Sequence, residues 1–127
     1  RAAGCEVTLH NTNDGRFDAA TFAEYDCAAF GSPDYFSYIA GGLKQFVDDH
    51  YILDVRRGLP GLTGKPFVLF CTHGGGGRVT TVMSGLFRRM GTQVGDVLAC
   101  RGAPSPSVLA DCVSLGRRLA TATGTRA

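Results

Sequence analysis

Apolar residues along the chain change period repeatedly, and the changes mark out its elements. Residues 65–72 contain Pro-Phe-Val-Leu-Phe-Cys, an unbroken apolar run with the length and composition of a strand buried on both faces. Residues 26–31 (Asp-Cys-Ala-Ala-Phe-Gly) give a shorter run of the same kind, and residues 94–100 predict a further strand. Residues 5–10 (Cys-Glu-Val-Thr-Leu-His) alternate, favour β structure and predict another. Between these runs the period becomes helical. Over residues 38–51, Ile39, Leu43, Phe46 and Val47 share one stripe, with Lys44, Asp48 and Asp49 opposite. Residues 78–90 predict a second helix, with Val79, Val82, Met83, Leu86, Phe87 and Met90 on its apolar side. Residues 107–119 predict a third, carrying Val108, Leu109, Cys112, Leu115 and Leu119. Residues 19–25 suffice for one or two helical turns, and Ala2-Ala3-Gly4 reads as a helix end closed by glycine.

Strands alternating with helices imply parallel pairing, with helices on both faces of the sheet. The expected fold is therefore α/β: a doubly wound parallel sheet in three α/β/α layers. At 127 residues there is room for one domain, placed at residues 1–120, and the small-residue tail at 121–127 is expected to be disordered. The visible strands are one fewer than such domains commonly have, and the missing one is expected at the front.

Composition narrows the function. A formal net charge of +2, with no basic run or basic helix face, argues against a nucleic-acid partner. Arg56-Arg57, Arg88-Arg89 and Arg117-Arg118 read as solvated helix positions. The five cysteines are odd in number, widely and irregularly spaced and include no Cys-x-x-Cys pair, which argues against a disulfide framework and a zinc site and points to reduced, buried thiols of a cytoplasmic protein. His10, His50 and His73 are too scattered to suggest a metal site, and no membrane-spanning run is present.

In an open parallel sheet, ligands bind beyond the carboxyl ends of the strands. Two of the loops that leave predicted strands carry chemistry. Ser32, Pro33, Asp34, Tyr35, Phe36, Ser37 and Tyr38 set three aromatic rings beside two hydroxyls, which suits a planar heterocycle or, equally, the capping of a core. Thr72 and His73 lead into four consecutive glycines, Gly74, Gly75, Gly76 and Gly77, where a backbone can approach a flat ligand and present its N–H groups. His73 can bond a ligand edge or brace the loop. Sharper motifs fail: the run is not Gly-x-x-x-x-Gly-Lys-Ser/Thr, and Gly-x-Gly-x-x-Gly is absent from its required place. His73-Gly74-Gly75-Gly76 is similar to the oxyanion loop of lipases, but no Gly-x-Ser-x-Gly supplies a nucleophile.

These loops bring a family into view. Gly31-Ser32-Pro33-Asp34-Tyr35-Phe36, followed by Ala40-Gly41-Gly42-Leu43-Lys44-Gln45-Phe46-Val47-Asp48, resembles the second flavin loop and following helix of the flavodoxin family. Residues 67–71 running into Thr72-His73-Gly74-Gly75-Gly76 are similar to its next strand and third flavin loop, and residues 102–119 to its terminal strand exit and helix. The resemblance implies strand order 2-1-3-4-5, with flavin mononucleotide (FMN) where the order reverses. It also implies that strand 1 and the hydroxyl-rich phosphate loop precede residue 1, so that this piece alone is expected to be poorly stable and to bind flavin weakly. The Thr121-Ala122-Thr123-Gly124-Thr125 run follows a helix and is read as a coincidental likeness to that phosphate loop.

The implied cofactor is FMN, and the implied flavin-binding residues are Ser32 to Tyr38 and Thr72 to Gly76. Asp34 is expected near the ring, disfavouring negative charge there. No residue is assigned a catalytic or metal-binding role. The implied function is that of an FMN-binding redox or electron-transfer domain, serving a redox protein partner or a small electron acceptor. With no tryptophan, any stacking face falls to Tyr35, Phe36 or Tyr38. The slightly basic charge departs from the acidic surface of flavodoxin carriers, which favours a domain of a larger flavoprotein or a quinone-reductase-like relative. The alternatives are a flavin-dependent NAD(P)H:quinone-type reductase and a flavin-free interaction module that uses the glycine loop as its contact surface.

Overall fold

The computed structural model describes residues 3–59 and 62–124. Strands β1 (Ala28–Pro33), β2 (Pro66–His73), β3 (Thr92–Gln93) and β4 (Leu98–Arg101) form one parallel sheet with β2 at its centre. β1 pairs along β2 from Ala28↔Phe67 to Pro33↔Thr72. On the other side β3 pairs with Pro66 and Phe67, and β4 takes over from Phe70 to His73. β3 and β4 are thus one outer row, broken where Gly95 takes a left-handed φ of +67°.

Helices α1 (Gly41–Tyr51), α2 (Val79–Phe87) and α3 (Pro106–Ala122) connect or follow the strands. α3 starts where its residues dictate: the Ser105 hydroxyl accepts the Val108 N–H, and Pro106 occupies the first turn. A 3₁₀ turn at Ala19–Glu24 is capped by Asp18, whose carboxylate accepts the Ala20 N–H at 3.0 Å. α1 widens at its end into a π turn over Ile52–Arg56, closed by Arg57 N–H on the Ile52 carbonyl at 3.2 Å.

The alternation of β2 sorts the core. Phe67, Leu69 and Cys71 join Phe30, Leu43, Phe46, Val79, Met83 and Phe87 in one buried cluster, so α1 and α2 cover that face. Phenylalanine rings knit it together: Phe30 and Phe87 lie 4.5 Å apart, Phe22 and Phe46 5.0 Å, and Phe30 and Phe46 5.4 Å between centroids. Each fully buried ring contributes about 1.5–3 kcal/mol by leaving water. α3 packs against β2 and β4, and its buried Leu119 and Ala120 fall outside that cluster, as do Val68 and Cys100. The helices therefore lie on both faces, as the doubly wound expectation requires. Among the described residues, no helix is long and apolar enough to cross a membrane.

Several expectations change. Residues 5–10 form no strand and are largely exposed, Leu9 at 92%. An alternating run needs an adjacent strand to hold it extended, and the sheet offers this segment none. The outer strand is split rather than continuous over residues 94–100, because of the bend at Gly95. α1 starts at Gly41, not Tyr38, because residues 35–38 are committed to a tight turn. α2 ends at Phe87 rather than Met90. α3 runs on to Ala122, so the first two residues of the expected tail are helical, and residues 125–127 lie outside those described. Gly4 has φ +82°, as a helix-closing glycine would, but residues 1 and 2 lie outside the described residues. All six residues of the arginine doublets are exposed.

His50, at the buried end of α1, gives the fold a pH dependence. It is 4% exposed, and its Nε2 faces the N–H of the fully buried Leu62 at 3.4 Å, a role open only to the neutral ring. Burial pushes its pKa below the ordinary 6.5, against a smaller opposing pull from Asp54. The folded state therefore binds this proton less readily than the unfolded state. Stability is complete above pH 6.5 and falls as the pH drops from there toward the lowered folded value. Urea midpoints measured on either side of that window are expected to differ, and His50→Gln should remove the part of the difference that belongs to this ring.

Candidate functional site

The carboxyl ends of β1, β2 and β4 meet at one end of the sheet, and their exit loops stand there as neighbouring walls. The first wall leaves β1. Ser32 is 6% exposed and its hydroxyl is fully engaged: it accepts the Ala40 N–H at 2.9 Å and donates to the Pro33 carbonyl at 2.7 Å. The loop thus departs from and returns to one buried oxygen. Between these points Tyr35 and Tyr38 exchange both backbone hydrogen bonds, each 2.9 Å, closing a two-residue turn. The central residues Phe36 and Ser37 take φ +52° and +64°, a left-handed conformation that side chains disfavour. The consequence is a fully exposed Phe36 at the tip, between Tyr35 at 58% and Tyr38 at 39% exposure. Solvent-facing rings on a strained turn gain nothing from the core. Held there, they offer a flat apolar face to something outside.

The second wall leaves β2. The Gly102 N–H donates to the His73 carbonyl at 2.8 Å, which ties the β4 exit to the same place. Gly77 has φ +65°, and a Cβ there would lie 3.1 Å from His73 Nε2, so this glycine serves both the backbone and the ring packed over it. Gly74 and Gly75 face open space. His73 Nδ1 is buried and meets no hydrogen-bonding partner among the described residues. A buried polar nitrogen left in that state costs on the order of 1–3 kcal/mol, which a bonded partner would recover. His73 therefore braces the loop through one edge of its ring and leaves the other unsatisfied.

Asp34 joins the two walls. Its Oδ1 accepts the Ser37 N–H at 2.7 Å, its Oδ2 faces the Val79 N–H at the start of α2 at 3.4 Å, and its own N–H extends the sheet to the Thr72 carbonyl at 2.9 Å. The carboxylate is thus directed at backbone donors. Cys71 lies beneath, and burial, with the Asp34 charge adding to it, pushes its thiol pKa up, so it is no ready nucleophile. Arg78 and Arg101 stand exposed after the glycine loop and at the end of β4, in no ion pair among the described residues.

The twelve residues picked out by the sequence thus fall at the same end of the sheet: Ser32, Pro33, Thr72 and His73 close β1 and β2, and the other eight lie on the loops that leave them. Ser32 and Asp34 are occupied as braces; Tyr35, Phe36, Tyr38 and Gly74 to Gly76 line the open side. The sequence reading missed Gly77 as the seat of His73, although its place closing the glycine run was a signal. It also missed Arg78 and Arg101, for which no motif exists. Two surface concavities lie elsewhere. One of about 370 Å³ is bounded by Arg16, Phe17, Asp49 and Leu53, and one of about 360 Å³ by Val94, Arg117, Arg118 and Thr121. The second places Thr121 beside Val94, which directly follows β3 and donates its N–H to the Phe67 carbonyl near the start of β2, so Thr121 lies at the opposite end of the sheet from the loops. No group of three or more metal-ligating side chains occurs among the described residues.

No family model matches the chain, and no curated protein matches it by sequence. Solved structures do match it by shape. A flavodoxin from the domain Archaea superposes with a TM-score of 0.79 at 18% identity, covering 96% of this chain and 80% of that one. The flavodiiron core of Flv1 from Synechocystis gives 0.74 at 16% identity, over 96% of this chain and 29% of its own. Two-electron reduced Megasphaera elsdenii flavodoxin gives 0.69 at 23% identity, over 95% of this chain and 82% of its own. The parallel sheet, its helices on both faces and these superpositions make the fold flavodoxin-like.

Proposed function

We propose that this protein is an FMN-binding redox domain, with the flavin ring held between the aromatic turn of residues 35–38 and the glycine loop of residues 74–76. The observation that carries this reading is the turn itself. A flavodoxin-like sheet places a fully exposed phenylalanine, in left-handed backbone, beside a loop stripped of side chains. A stacking face and a backbone face on adjacent strands suit a flat heteroaromatic ring with polar edges. The unpartnered His73 Nδ1 fits the same group, since a ring edge carries the donors and acceptors it lacks.

When bound, the flavin supplies the electron-transfer chemistry. The chain's own residues position and insulate it. Tyr35, Phe36 and Tyr38 cover a ring face and exclude water. The N–H groups of Gly74 to Gly76 address its polar edge, and His73 is free to bond there. The Asp34 charge is held by backbone donors, whereas Arg78 and Arg101 leave the rim positive. That rim suits an acidic redox protein or a small anionic electron acceptor.

The test is a titration of the protein with FMN and with riboflavin, read by flavin fluorescence. Both are expected to bind, and Phe36→Ala and Tyr35→Ala should each weaken binding by about five- to tenfold. The loss should be equal for the two ligands, because the loops address the ring and not the phosphate. Binding indifferent to both substitutions would overturn the proposal.

A further inference from the structure

We infer that Asp34 is the positioning residue that sets the spacing of these two loops, one carboxylate holding both. The inference rests on the flavin reading above only for what the two loops hold; the tie itself is a property of the protein alone. Three observations carry it. Asp34 Oδ1 accepts the Ser37 N–H at 2.7 Å, the shorter of its two contacts, and this bond restrains one of the two left-handed residues of the turn. Asp34 Oδ2 faces the Val79 N–H at 3.4 Å, across 45 positions of sequence, where α2 begins directly after the glycine loop. Apart from the strand ladder below, this carboxylate joins the element that carries Phe36 to the element that ends the glycine run.

Electrostatics reinforces the link. The first N–H groups of a helix lack intrahelical acceptors and carry partial positive charge, so an anion there is favoured over a neutral acceptor. Arg78, which precedes Val79, offers no side-chain cap, leaving the position to Asp34. The backbone of Asp34 is held separately, by its N–H on the Thr72 carbonyl at 2.9 Å. Changing the side chain therefore releases the tie without releasing the strand. In physical terms, the ionised carboxylate fixes the spacing between the stacking face and the glycine face before any ligand arrives, which lowers the ordering cost of binding.

Asp34→Asn and Asp34→Ala separate the two bonds. Asparagine keeps one oxygen for Ser37, the shorter contact, and presents an NH₂ group to Val79, which donates and cannot accept. The measurement is amide hydrogen exchange by NMR on the flavin-free protein, with the Leu69 amide in the central strand as the control for folding. In Asp34→Asn, Ser37 should stay protected to within about twofold, while Val79 exchanges about tenfold faster. In Asp34→Ala both amides should accelerate, with Leu69 unchanged; if Asp34→Ala loses protection at Leu69 as well, Asp34→Asn alone decides. Unchanged exchange at Val79 in Asp34→Asn would overturn the tie. A titration with FMN then tests its consequence: Asp34→Asn should weaken binding several-fold and reduce the induced circular dichroism of the bound ring. Unaltered affinity and dichroism, in a protein that binds FMN, would overturn the positioning role. Failure of the unmutated protein to bind FMN would instead sink the flavin reading and leave the exchange result to decide the tie.

Discussion

Phe87→Ala is expected to cost about 3–5 kcal/mol of folding stability, the range for truncating a fully buried aromatic ring. Phe87 is fully buried at the end of α2, with its ring 4.5 Å from Phe30 and 6.2 Å from Phe67. It therefore joins the outer helix layer to both principal strands. Removing it loses the transfer energy of the ring and leaves a cavity walled by other rings, which cannot collapse without moving strands. Tyr25, at the margin of the same aromatic group and only half-buried, is the contrast: its truncation should cost under half as much. Denaturant unfolding of the two variants checks both the size and the order of the effects.

Gly91→Ala is expected to cost about 3 kcal/mol, the upper end for inserting a methyl group into packed structure. A Cβ at Gly91 would lie 2.2 Å from the Lys65 carbonyl oxygen and 3.2 Å from that of Leu62. Those are backbone atoms at the entrance to β2, and the Lys65 carbonyl also accepts the Thr92 N–H at 3.0 Å. Neither side can give without breaking the start of the outer row. Gly31 supplies the control. A Cβ there would lie 2.1 Å from the Phe70 ring, yet Phe70 is 43% exposed and can swing outward. Gly31→Ala is therefore the milder change although its contact is nominally closer. Thermal melts that ranked Gly31→Ala as the more damaging would contradict this reading of the two sites.

The central part of this fold was legible because its signals are local. Pro-Phe-Val-Leu-Phe-Cys buries Phe67, Val68, Leu69 and Cys71 across both faces of the sheet, and the stripes of Leu43 with Phe46 and of Val79 with Met83 and Phe87 fix which helix faces turn inward. The glycine run marked the second loop because four residues without side chains leave its backbone bare. What remained hidden depends on distant or conditional contacts. Residues 5–10 have the alternation of a strand, but alternation becomes a strand only beside a neighbour. Phe36 and Ser37 adopt left-handed backbone that neither residue type announces, because the Tyr35–Tyr38 pair and the Asp34 carboxylate impose it. The second contact of Asp34 lies across the fold at Val79, so no window of sequence could have shown that this acid accepts from backbone on both loops.

The central claim is that the two loops together hold a flavin ring. Backbone amide shifts of the isotope-labelled protein during titration with FMN test it most directly. The largest changes are expected on Tyr35, Phe36, Ser37 and Tyr38 and on Gly74, Gly75 and Gly76, with the His73 ring moving alongside them. Changes centred instead on the groove beside Arg117 and Arg118, or no change at millimolar FMN, would contradict it.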